Sequence, residues 1–249
     1  MLDVGCSSFS LLPAFGVHPW YAGALPLDWL VTLERVLAAH PEAPVGEIGI
    51  DGLREEPSRD VQRQVCIRQL ELAVQMQRPV VLHGARAWGE LVAVVKPFAP
   101  RLPGFVAHAF AGSVEILRVL VALGGYVSFA GSVCNPAARR MRAAAAAAPA
   151  ERLLIETDAP DMRPGGRGTE SRDQRSEVGS QRSEVRGQGS ENGIPAELNH
   201  PANLVYVARA VAEVRGVPTD EIANLTEANA RRVLDRSVVR CDAFASHLW

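Results

Sequence analysis

Lysine is almost absent from this chain: Lys96 is the one lysine among 26 basic residues, and arginine supplies the rest. With 28 acidic residues the formal net charge is −2, which argues against a general basic face for nucleic acid but leaves room for a local patch. Cysteine is also scarce. Cys6, Cys66, Cys134 and Cys241 lie far apart with no CxxC pair, which favours reduced thiols over a disulfide framework or a zinc knuckle.

Long apolar runs are missing as well. No run reaches the roughly 18 residues of a membrane span, and the N-terminus lacks the basic residues and apolar stretch of a signal peptide. These absences predict a cytoplasmic protein without a membrane partner, and no obligate protein partner is indicated. The 249 residues, 47% of them apolar, are enough for one large α/β domain with a substantial core.

Short apolar runs alternate with stretches of helical periodicity along most of the chain. The predicted strands are 14–18, 44–49, 79–83, 104–108, 125–130 and 152–157. The predicted helices are 28–40, 58–77, 86–97, 113–123, 136–148, 201–215 and 219–236. Asp28 is a candidate N-cap for the first helix. Alternation at this period indicates a parallel sheet with crossover helices.

A segment at about 165–196 breaks this pattern, because it is rich in Gly, Ser, Arg and Glu and poor in apolar residues. It contains the word QRSEV twice, at Gln174–Val178 and Gln181–Val185. Two copies with one valine each provide no coiled-coil seam. We therefore expect a low-complexity, disordered insertion within a single domain that spans residues 1–249.

Carboxylates and histidines recur at the ends of apolar runs: Glu47 in VGEIG, His83 in VVLHG, His108 in FVAHAF and Asp158 in LLIETDAP. The spacings of 36, 25 and 50 residues correspond to one, one and two βα units of about 30 residues. Parallel α/β barrels build their sites at the carboxyl ends of their strands. Because metal ions bind imidazole and carboxylate groups, the four residues predict a metal site.

Six motifs follow one another in order along the chain. They are GVHPW (Gly16–Trp20), GEIGID (Gly46–Asp51), the HxxRA pattern of His83–Ala87, HAFAG (His108–Gly112), ETDAP (Glu156–Pro160) and NHPANL (Asn199–Leu204). In this order and spacing they resemble the TatD family of metal-dependent hydrolases, from about residue 13 to 235. The resemblance implies an α/β fold of the TIM-barrel type.

The resemblance also implies an activity, that of a phosphodiesterase or deoxyribonuclease that attacks DNA from the 3′ end with two divalent metal ions. Mg²⁺ is the expected ion, with Mn²⁺ or Zn²⁺ as alternatives. By the same resemblance, Glu47 bridges both metals, and His83 and His108 hold the second metal. Asp158 reaches the first metal and acts catalytically on the attacking water, and His18 binds the substrate phosphate.

One family motif is absent, the opening HxHxD-like strand whose histidines bind the first metal, because no histidine precedes His18. Only six of eight barrel strands can be counted. We therefore expect an incomplete barrel that lacks the first two βα units, in a chain that is N-terminally truncated relative to the family. Two alternatives stay open: a catalytically crippled homologue, or a metal-dependent hydrolase of another small ester or amide.

Simpler structural roles compete with these assignments. Glu47 could form a salt bridge, His83 could be a satisfied core histidine, and Asp158 could cap a turn. His200 before Pro201 is ordinary capping chemistry at the start of a helix. Trp20 beside His18 either packs at the rim or stacks on a base.

Overall fold

The computed structural model describes residues 12–164 and 198–234. The insertion predicted at 165–196 lies outside the described residues. Five strands form one parallel sheet in which the order of the strands is that of the chain. They are β1 (Val45–Asp51), β2 (Val80–Ala85), β3 (Phe105–His108), β4 (Tyr126–Phe129) and β5 (Leu153–Ile155). Each corresponds to a predicted strand.

The strand predicted at 14–18 is wrong, because within it Phe15 forms only an isolated bridge with Val45. The backbone of Val17 is bound instead by a side chain. Gln69 accepts from Val17 N at 2.6 Å and donates to Val17 O at 3.1 Å, so its amide takes the place of a strand partner. Pro19 ends the segment, since proline has no N–H to offer a ladder.

Seven α-helices are present in the described part of the chain. They are α1 (Trp29–Ala39), α2 (Arg59–Gln75), α3 (Trp88–Val95), α4 (Val114–Ala122), α5 (Arg139–Ala147), α6 (Leu204–Arg215) and α7 (Thr219–Leu234). Ser58 and Ser113 cap α2 and α4 by accepting from the backbone N–H three residues on. Asp28 occupies the N-cap position of α1, but its side chain makes no capping hydrogen bond. None of these helices has the length and apolar character that a membrane crossing requires.

The two faces of the sheet bury different clusters, because side chains alternate along each strand. Phe105 and Ala107 of β3 point into the main core, which also holds buried side chains of α1 to α6. Val106 between them belongs to a second cluster with Tyr126 and Leu154, against Val233 of α7. Helices therefore cover both faces of β3 to β5, and the polar residues gather at the carboxyl ends of the strands.

Gly49 permits the close approach of β1 to β2. Its φ is +153°, and a Cβ at this position would collide with the carbonyl oxygen of His83. The pairing of β1 with β2 is also irregular between Val45 and Ile48, and irregularities of this kind re-aim side chains. The glycines of GEIGID therefore bring Glu47 next to the neighbouring strand.

Candidate metal centre

The predicted ligands lie at one edge of the sheet. Glu47 and His83 belong to β1 and β2, and His108 is the last residue of β3. His83 and His108 are register partners in adjacent parallel strands, so their side chains share one face. Asp158 follows the end of β5 by three residues. The structure thus brings together all four residues that the sequence placed at strand ends.

Glu47 lies at the middle of this group. Its Oε2 is 3.6 Å from Nδ1 of His83, 3.5 Å from Nε2 of His108 and 3.9 Å from Nε2 of His18. Nε2 of His108 is in turn 3.2 Å from Oδ1 of Asp158. A half-buried carboxylate among three imidazoles is an environment suited to a cation.

Two groups of three side chains have ligand atoms that all lie within 4.8 Å of one another: His18, Glu47 and His83, and Glu47, His108 and Asp158. Glu47 belongs to both. The TatD resemblance instead places His83 and His108 on the same metal, and their ring centroids are 6.5 Å apart here. The assignment of each ligand to a metal stays a prediction.

His108 is oriented by Glu156, a residue that the sequence analysis did not single out. Oε2 of Glu156 lies 2.9 Å from Nδ1 of His108, and its Oε1 accepts from the backbone N of Ala109 at 2.6 Å. Loss of the Nε2 proton, with the other proton kept on Nδ1, would leave the lone pair of Nε2 directed at Glu47 and Asp158. Carboxylates in this position are typical of metal-binding histidines.

His83 has an equivalent partner in Asp51. Nε2 of His83 lies 3.2 Å from Oδ2 of Asp51, so Nδ1 is left to face Glu47. The Asp51 side chain is only 2% exposed, and its position is fixed by a hydrogen bond from Leu53 N at 2.8 Å and by Gln62 at its backbone. Asp51 and Glu156 lie within the GEIGID and ETDAP motifs, and that was the one sequence signal for them.

The ionisable groups of the centre shift one another's pKa values. Burial by itself would lower the pKa of His108, but hydrogen bonds to Asp158 and Glu156 outweigh burial and raise the pKa to about 11. Burial would raise the pKa of Asp51, but hydrogen bonds from His83 and Trp20 lower it to about 2. The protonated His108 ring therefore places a positive charge among the carboxylates, where a bound cation would also be favourable.

His18 differs from the other two histidines. Burial, followed by the nearby charge of His83, lowers its pKa to about 4, so the ring is neutral at pH 7. The backbone N–H of Trp20 donates to Nδ1 at 3.3 Å, which leaves the ring proton on Nε2, the atom that faces Glu47. In this tautomer His18 is a hydrogen-bond donor at the centre.

Asp158 lies in a loop that Asn199 holds in place. Nδ2 of the buried Asn199 donates to Thr157 O at 2.6 Å and to Asp161 O at 2.7 Å. Asp158 itself has a φ of +57°, a left-handed conformation that aspartate tolerates better than most residues. His200 caps the following turn, as the sequence predicts, because its Nδ1 accepts from Ala202 N at 3.1 Å.

Comparison with known proteins identifies the family. The family model described as TatD related DNase matches residues 5–235. The chain belongs to the TatD family. It is 32% identical to the 3′-5′ ssDNA/RNA exonuclease TatD of Erwinia billingiae over 221 residues, which is 88% of this chain and 75% of the relative. It is 28% identical to the uncharacterized metal-dependent hydrolase YabD of Bacillus subtilis, over 88% of this chain and 76% of that protein.

A solved structure supports the same family assignment. The crystal structure of YjjV, a TatD homologue from Escherichia coli K12, aligns with a TM-score of 0.73 and 30% identity, over 90% of this chain and 76% of that one. The TIM-barrel-type α/β fold and the class of metal-dependent hydrolase, both expected from the TatD motifs, are thereby confirmed.

Proposed function

We propose that this TatD-family hydrolase is a metal-dependent phosphodiesterase that removes nucleotides from the 3′ ends of single-stranded nucleic acid, with DNA as the expected substrate. The observation that carries the proposal is the position of the Glu47 carboxylate, whose Oε2 lies 3.6 Å from Nδ1 of His83 and 3.5 Å from Nε2 of His108. Two-metal phosphodiesterases bind their ions about 3.5–4 Å apart around the reacting phosphate, and a carboxylate between two histidines could serve both ions at that spacing. The substrate follows from the relatives named as 3′-5′ ssDNA/RNA exonucleases.

The side chains fit divalent cations in both number and kind. Carboxylates suit Mg²⁺ and Mn²⁺, and imidazoles suit Zn²⁺ and other transition metals. His83 and His108 are each oriented by a buried or half-buried carboxylate, with one ring nitrogen free for a cation. Which ion acts is decided by adding Mg²⁺, Mn²⁺ and Zn²⁺ separately to protein treated with EDTA.

When bound, the cations supply a water of lowered pKa and neutralise charge on the phosphate oxygens. In the proposal the Asp158 carboxylate, which is partly exposed, would accept the proton of the attacking water. His18 is neutral and carries its proton on Nε2, so it donates to a phosphate oxygen. Glu47, His83 and His108 would hold the cations.

The test is hydrolysis of a single-stranded oligonucleotide by the unchanged protein and by Glu47→Gln. Glutamine keeps the size of the side chain and removes the shared charge, so we expect activity to fall by about 100-fold or more. Glu42→Gln is a matched control, because Glu42 precedes β1, remote from the carboxyl ends of the strands, and its side chain is exposed. Equal activity of Glu47→Gln and the unchanged protein would contradict the proposal.

The same assay separates the competing functions. YabD is named only as a metal-dependent hydrolase, which favours a wider choice of substrates as the second candidate. Hydrolysis of p-nitrophenyl esters or amides without hydrolysis of oligonucleotides would support that candidate. Inactivity on every substrate with each metal would instead favour a catalytically crippled homologue.

A further inference from the structure

Two aromatic side chains are exposed directly beside the metal centre. Trp20 is 38% exposed and Tyr21 is 67% exposed, and both follow His18 in a short 3₁₀ helix, Pro19–Tyr21. They line an open cleft of about 370 Å³. The other lining residues are Gly23, Ala24, Leu25, Glu56 and Pro57. Exposed tryptophan and tyrosine side chains in a cleft are typical of binding sites.

Trp20 is held in place by the same carboxylate that orients His83. Nε1 of Trp20 donates to Oδ2 of Asp51 at 2.6 Å, and Nε2 of His83 lies 3.2 Å from that oxygen. The His18 ring meets the Trp20 ring edge-on, with the ring centroids 4.8 Å apart. Trp20 is therefore in contact with the metal centre, and its ring is held by a hydrogen bond, which limits the entropy that this side chain loses when a ligand binds.

A positive charge accompanies the aromatic pair. The guanidinium carbon of Arg54 lies 3.9 Å from the centroid of the Trp20 ring, and the Arg54 side chain is exposed. In contrast, the acidic residue Glu56 is among the residues that line the cleft. A phosphate is therefore favoured beside Arg54 and disfavoured inside the cleft, where an uncharged planar group fits better.

We propose that this cleft binds an unpaired nucleobase of the single-stranded substrate, with Trp20 and Tyr21 as the stacking surface and Arg54 beside the adjoining phosphate. The inference rests on the proposed function, since it supplies a subsite for the same nucleic acid. Bases stack on aromatic side chains without regard to sequence, because every base has a π-face. A base placed here keeps its strand next to the centre at Glu47.

The test is binding of a 5′-fluorescein oligonucleotide with phosphorothioate linkages, in Ca²⁺, followed by fluorescence anisotropy. A second strand, identical but abasic at its last three 3′ nucleotides, removes the stacking partner. We expect Tyr21→Ala to weaken binding of the first strand by about fivefold or more, and to have a clearly smaller effect on the abasic strand. Arg54→Ala is expected to weaken binding of both strands, because both keep their phosphates.

Matched controls come from two other pairs of an arginine and an aromatic side chain. Tyr206→Ala removes an exposed tyrosine near Arg209 on α6, and Arg101→Ala removes an arginine that lies over Phe98 at the amino end of β3. Neither change should alter binding of either strand. Tryptophan fluorescence is a second readout: the intact strand should quench emission of the unchanged protein more than that of Trp20→Phe.

Equal binding of the intact and abasic strands by the unchanged protein, or no effect of Tyr21→Ala, would overturn the subsite. Those results are separable from failure of the proposed function, which is measured by hydrolysis of a normal oligonucleotide. If the protein hydrolyses DNA but Tyr21→Ala binds the intact strand as tightly as the unchanged protein does, the subsite is absent. A protein that shows the expected binding pattern but no hydrolysis has the subsite without the activity.

Discussion

The carboxylate of Glu156 lies 2.9 Å from Nδ1 of His108, at the junction between β3 and the loop that follows β5. Its second oxygen binds the backbone N–H of Ala109 at 2.6 Å, so Glu156 fixes both the ring and the main chain beside it. Asp51 has the same relationship to His83 on the neighbouring strand. Each of these two strand-end histidines is thus paired with a carboxylate from a different motif.

The first prediction concerns this orientation. Glu156→Leu removes the acceptor for Nδ1 of His108, and we expect Mn²⁺ or Zn²⁺ affinity to fall by about 10- to 100-fold. Glu156→Gln, which keeps one acceptor oxygen, should lose less. Isothermal titration calorimetry measures both. Glu151→Gln is the control, because Glu151 is exposed at the opposite end of β5 and should change nothing. Unaltered affinity in Glu156→Leu would contradict the role of Glu156 in orienting a metal ligand.

The second prediction concerns Gln69, which binds both backbone groups of Val17. Gln69→Leu leaves a donor and an acceptor of Val17 without their partner, and we expect a loss of about 1–3 kcal/mol in the free energy of unfolding. Urea unfolding followed by circular dichroism measures it. Gln64→Leu, an exposed position of the same helix, should cost much less. Equal stability of the two variants would contradict the role assigned to Gln69.

The role of Gln69 could not be predicted from the sequence. A polar residue at a buried helix position breaks the apolar pattern. The neighbouring residues do not indicate its hydrogen-bond partner, which lies 52 residues away. The predicted strand 14–18 failed for the same reason, because a distant side chain satisfies this backbone in place of a ladder. The five strands of the sheet were predictable, since short apolar runs at a regular spacing are a local signal.

Some residues of the candidate site could likewise be predicted from the sequence, and others could not. Glu47, His83 and His108 were found because strand alternation and spacing place them at one edge of the sheet. The sequence pointed to Asp158 but gave no role to Glu156, although the two carboxylates belong to one motif. Their contacts differ in the structure, because Glu156 binds Nδ1 of His108 and the backbone N of Ala109, whereas Asp158 lies beside Nε2 of His108. The single domain and the cytoplasmic location stay predictions.

The last prediction concerns protons at the metal centre. In the metal-free protein the pKa of His108 is raised to about 11, so its ring carries a proton at pH 7 that a metal ion must displace. Binding should therefore release a proton, and affinity should rise with pH by about tenfold per unit for each proton released. His18, with its pKa lowered to about 4, is already neutral and contributes none.

Calorimetry in buffers of different ionisation enthalpy at one pH measures the number of protons released when the metal binds. Replacing His108 by Asn should reduce that number, because the displaced proton belongs to this ring. His200→Asn is the matched control, since His200 caps a turn and belongs to neither ligand group. Affinity that is independent of pH between 6 and 9 would mean that the cation does not compete with the His108 proton, and would place the metal elsewhere than between Glu47, His108 and Asp158.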